Sequence, residues 1–132
     1  MTSRKGHGAR LQRALAWVQK RLGTAFDLAV VADRGEELLS IDRSGRGRDD
    51  PLCFVITYNP EALGGRSAAL LRSDALHELI HAMWWPFYEA GSDGKSMAEK
   101  RELLRVFETC TYETERRLGP HVLGQRAHSK AR

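Results

Sequence analysis

Two histidines four residues apart, with a glutamate directly after the first, are the side chains of this sequence best suited to chemistry: His77-Glu78-Leu79-Ile80-His81. On a helix this spacing sets the two imidazoles about 40° apart around the axis and about 6 Å apart along it, so both reach one ion. Glu78 then lies beside the ion rather than on it, where a carboxylate takes the proton of a water held there. The cofactor expected is one zinc ion (Zn2+) per chain, with His77 and His81 as ligands and Glu78 as general base.

The motif needs a helix under it, and the surrounding pattern supplies one. From Ser67 to Trp84, Leu70, Leu71, Leu76, Leu79, Ile80 and Met83 recur at helical spacing and can cover one broad face, with Pro86 expected to end the run. Upstream, Leu11, Leu15, Trp17, Val18 and Leu22 predict an amphipathic helix over Ala9 to Leu22, stopped by Gly23. Phe26 to Val31, Leu38 to Ile41 and Leu52 to Tyr58 read as strands, the last closed by Asn59-Pro60. The polar run between Asp42 and Pro51 reads as a loop and a candidate flap. Downstream, Ser96-x-x-Glu99 is a capping box that opens a helix from about Met97 to Leu118, closed by Gly119 and Pro120. The expected fold is α+β: an N-terminal helix, a short β-meander, the helix carrying the motif, and a C-terminal helix.

A chain of 132 residues allows one domain with one core, and its 42% apolar and 29% charged content is that of a globular protein. Its formal charge of +4 is unevenly distributed. Arg4, Lys5, Arg10, Arg13, Arg126, Lys130 and Arg132 lie at the two ends with no carboxylate among them, leaving −3 over residues 14 to 125. The ends, 1–13 and 123–132, therefore read as basic tails around a domain at 14–122. They are taken as solubilising, with contact to nucleic acid the alternative. No segment has the roughly 20 apolar residues of a membrane span, and Met1 to Arg10 lacks the apolar stretch of a secretion signal, so a cytoplasmic protein is expected. Cys53 and Cys110, far apart and without CxxC partners, are read as core thiols.

From Phe54 to Leu118 the chain resembles the minimal zincin-like metallopeptidases often encoded by bacteriophages and prophages, a gluzincin-like group. In these a strand ending in an Asn-Pro turn leads into an H-E-L-x-H helix, and a further helix carries a glutamate ligand. Tyr58-Asn59-Pro60, the helix with His77 to His81, and the acidic helix downstream carry the resemblance, over roughly half the chain. It implies a peptidase with a glutamate as third ligand. The sequence agrees with a carboxylate: no histidine follows His81 until His121, and the H-x-x-G-x-x-H extension of metzincins is absent. Glu99, Glu102, Glu108 and Glu113 are the candidates. Glu99 has a competing capping role, Glu102 stands at a plausible height for an antiparallel neighbour, and Glu108 best fits the pattern of the similar proteins.

The function expected is zinc-dependent hydrolysis of peptide bonds in a peptide or protein substrate. Strand Leu52 to Tyr58, placed at a sheet edge, would align that substrate by strand addition. The alternatives are a zinc-binding assembly protein that cleaves nothing and a nucleic-acid-associated factor using its tails; a base at Glu78 argues against the first. Trp84 and Trp85 are read as packing residues, with a lining role in the cleft the alternative. Tyr112 is read as an ordinary helix tyrosine, with hydrogen bonding to an oxyanion the alternative. His7, His121 and His128 show no ligand spacing.

Overall fold

The computed structural model describes residues 4–35, 37–43 and 53–124. Among these residues seven elements follow one another: α1 (Arg4–Leu22), β1 (Asp27–Ala32), β2 (Leu39–Arg43), β3 (Cys53–Tyr58), α2 (Pro60–Gly64), α3 (Ala68–Ser92) and α4 (Met97–Leu123). They make a mixed α+β domain of four helices and one three-stranded sheet. The candidate flap at 44–50 and the C-terminal segment from 125 lie outside the described residues. α1 begins at Arg4, inside the segment read as a basic tail, and Leu11 within that segment is fully buried.

α1 buries Leu11, Ala14, Leu15 and Val18, the i, i+3, i+4, i+7 stripe of an amphipathic helix. Each large apolar side chain so buried contributes about 1.5–3 kcal/mol. The stripe joins one core with Phe54, Ile56 and Tyr58 of β3 and Leu71, Ala75, Leu76, Leu79, Ile80 and Ala82 of α3. α3 is the central helix, packed on α4, α1 and β2. Leu70, expected on its buried face, is 46% exposed, because the core-facing arc is centred on Leu71, Ala75 and Leu79.

The sheet corrects the expected β-meander. Its order is β1-β3-β2: β3 is central, parallel to β1 from Asp27 opposite Cys53 and antiparallel to β2 with Ile41 opposite Ile56. β3 carries Val55, Ile56 and Thr57 in succession and is bonded on both sides, as suits β-branched residues. β2 carries Ser40, Asp42 and Arg43, and such polar residues suit an edge. β3 therefore cannot accept an added strand, and among the described strands the edge beside the motif helix is that of β2.

Two prolines expected to end helices lie within them. α3 runs through Pro86 to Ser92, and α4 runs through Gly119 and Pro120 to Leu123. A proline inside a helix costs about 3 kcal/mol. Around Pro86 aromatic packing offsets this: Trp84 lies against Phe87 and Phe107, Tyr88 meets Phe107 edge-on, and Trp85 meets Phe54 edge-on. Past Pro120, buried Val122 and its carbonyl, which accepts from Arg21 Nε at 2.5 Å, hold the last turn until Gly124 ends it at φ 71°. Cys53 and Cys110, expected in the core, are half-buried.

Candidate metal centre

The approach to α3 is organised by polar contacts that local sequence specifies. Asn59 caps α2, its side chain accepting from the backbone N–H groups of Glu61 and Ala62, and Pro60 supplies a preset first helical residue. Ser67 caps α3 by accepting from Leu70 N. Arg66, between the two helices, donates twice to Asp74 at 2.8 and 3.0 Å, and its carbonyl accepts from Arg10 of α1. These contacts fix the first two turns of α3. His77 and His81 follow on one face with ring centroids 4.7 Å apart, while Leu76, Leu79 and Ile80 anchor the same turns in the core.

α4 brings the carboxylates. Its capping box is present, with Ser96 and Glu99 each bonding the other's backbone N–H, so Glu99 is occupied at the helix start. Glu102 is 65% exposed and pairs with Arg105, and Glu113 pairs with Arg116 and Arg117. Glu108 faces the motif, with Oε1 3.0 Å from His81 Nε2. Glu115, outside the expected set, also faces it, and its Oε1 accepts a hydrogen bond from His77 Nδ1 at 2.8 Å. Glu108, Thr111, Tyr112 and Glu115 stand at i, i+3, i+4 and i+7, one stripe of α4, and that spacing was the available signal for Glu115. Thr111, at the centre of the helix contact, is buried, and its hydroxyl is satisfied by the Phe107 carbonyl on its own helix.

Between α3, α4 and β2 lies a cleft of about 790 Å³ that contains His77, Glu78, His81, Glu108 and Glu115. Leu38 to Ile41 form one wall. Trp85 has both of the roles weighed for it, since it packs on Phe54 and lines the cleft. Trp84 packs, and its indole N–H donates to Thr114 at 3.3 Å. Tyr112 is 60% exposed at the cleft wall, its ring centroid 5.2 Å from that of His77.

Burial dominates the titration of the site. It pushes Glu78 up to about 7 against the opposing pull of His77, with Glu37, Glu108 and Asp74 adding repulsion. Burial also lowers His81, opposed chiefly by Glu108, which favours the neutral imidazole that a metal ligand must be. His77, His81 and Glu108 each offer one ligand atom, all within 4.8 Å of one another. In a tetrahedral zinc set, bonds of about 2.0–2.1 Å separate the ligand atoms by roughly 3.4 Å, so small side-chain rotations close the set. His81 Nε2 is the informative atom, being buried without a hydrogen bond although Glu108 Oε1 is 3.0 Å away. A ring nitrogen without its proton and a carboxylate oxygen facing each other repel, and a cation between them removes that repulsion. The donor set therefore fits a borderline-soft dication.

No helix among the described residues is long and apolar enough to cross a membrane. Comparison with protein-family models, curated proteins and solved structures finds no match to the chain.

Proposed function

We propose that this chain is a zincin-like metallopeptidase that hydrolyses peptide bonds, with zinc held by His77, His81 and Glu108. The observation that carries the reading is the buried, unpartnered His81 Nε2 opposite Glu108, one turn after His77 and with Glu78 beside it. Zinc held by these three side chains would supply Lewis-acid charge and would bring the acidity of a water beside it to about pH 7. Glu78 takes the proton of the attacking water and delivers it to the leaving amine. Its burial in the cleft suits that role: desolvation raises its basicity, and a dication held beside it would favour the ionised carboxylate that takes the proton. The substrate backbone lies along β2, whose outer edge borders the cleft at Leu38 to Ile41.

The test compares wild type with Glu78→Gln at equal zinc occupancy on a peptide library. Glutamine keeps the shape and the hydrogen-bonding capacity but lacks the basic oxygen. Zinc content and fold should persist while turnover falls by at least the ~10²-fold of a lost general base. Equal rates in the two proteins would remove the mechanism. Zinc retention with no cleavage by either protein would point to the non-catalytic assembly role instead.

A further inference from the structure

Each motif histidine meets a carboxylate of α4, and the two contacts differ in kind. Glu108 lies 3.0 Å from His81 Nε2 but out of hydrogen-bonding alignment, which is the relation of two ligand atoms. Glu115 lies 2.8 Å from His77 Nδ1 in good alignment, which is the relation of an acceptor and an N–H donor. Glu115 is also outside the set whose ligand atoms converge. Its neighbours Arg116 and Arg117 are turned to Glu113, so neither competes for its carboxylate.

We propose that Glu115 is the positioning residue of the metal centre. By accepting Nδ1–H it keeps His77 in the tautomer whose Nε2 is bare, and it fixes the rotation of the ring about its Cβ–Cγ bond. An imidazole has one proton for two nitrogens when neutral, so a strong acceptor at Nδ1 leaves the lone pair at Nε2. Outer-shell partners of this kind typically contribute 10–100-fold to metal affinity. Tyr112, its ring against that of His77, closes one side of the imidazole and leaves Glu115 as the polar restraint. The α4 stripe thus does two jobs two turns apart, with Glu108 as ligand and Glu115 holding a ligand on the other helix. This assignment rests on the zinc reading given above.

The experiment measures zinc affinity by chelator competition for wild type, Glu115→Ala, Glu115→Gln and His77→Ala. The tautomer of His77 is read by long-range 15N–1H NMR, and the coordination sphere by the absorption spectrum of the cobalt-substituted proteins. Glu115→Ala should lose about 10–100-fold in affinity with an unchanged cobalt spectrum, and Glu115→Gln, which keeps an acceptor, should recover most of the loss. His77 in zinc-loaded wild type should carry its proton on Nδ1. Wild-type affinity in Glu115→Ala, alongside loss of zinc in His77→Ala, would overturn the positioning role and leave the metal site standing. Loss in Glu115→Ala as complete as in His77→Ala, with an altered cobalt spectrum, would overturn it by making Glu115 a ligand. Should the alanine variant fail to fold, the wild-type tautomer decides, and protonation at Nε2 overturns the assignment. If His77→Ala and wild type are equally free of zinc, the metal reading itself fails and takes this one with it.

Discussion

Replacing Glu108 by alanine should weaken zinc binding about 100-fold, whereas replacing Glu102, six residues earlier on the same helix, should leave it within about twofold of wild type. Structural zinc sites with four protein ligands bind with about 10–16 kcal/mol at neutral pH, roughly 3 kcal/mol for each ligand. Glu108 offers its oxygen 3.0 Å from His81 Nε2, but its side chain is 40% exposed. Water therefore reaches the vacated position and recovers a fraction of that amount. The remainder, about 2.7 kcal/mol, is the 100-fold expected. Glu102 lies outside the cleft, 65% exposed and paired with Arg105, and exposed ion pairs contribute about 0.2–1 kcal/mol to folding and nothing to the ion. Competition against a chromophoric chelator, at fixed pH and with folding checked by circular dichroism, measures both. A Glu108→Ala protein within threefold of wild type, or a Glu102→Ala protein that loses more, would refute the ligand set proposed for the site.

Two further substitutions test how the scaffold holds the site. Leu79→Ala removes a fully buried side chain from the turn between the two histidines and should cost 2–5 kcal/mol in urea unfolding; a loss under 1 kcal/mol would mean that this turn is not anchored in the core. Pro86→Ala restores a backbone N–H inside α3 and should raise stability by about 1–3 kcal/mol without altering zinc affinity, because α3 stays helical on both sides of Pro86 and the histidines precede it. A destabilised Pro86→Ala protein would show that the aromatic cluster around Trp84, Trp85 and Phe107 depends on the proline.

What the sequence determined by itself is what lies within one or two helical turns. The 3.6-residue repeat alone brings His77 and His81 to one side of α3, and Asn59-Pro60, Ser67 and Ser96-x-x-Glu99 cap their helices through atoms three or fewer residues away. The buried stripe of α1 was legible for the same reason, since the periodicity of its apolar residues is the face it buries. Tertiary structure decided whatever depends on a partner distant in sequence. Three short strands carry no local record of their order, so the parallel pairing of β1 with β3 and the edge position of β2 follow from which strand gains most by being bonded on both sides. Pro86 is a local stop signal that aromatic contacts to α4 and β3 override. Among the five glutamates of α4, only the way that helix packs on α3 separates Glu108 from Glu102. The same packing turns Glu115, 38 residues from His77 in sequence, into its hydrogen-bond partner.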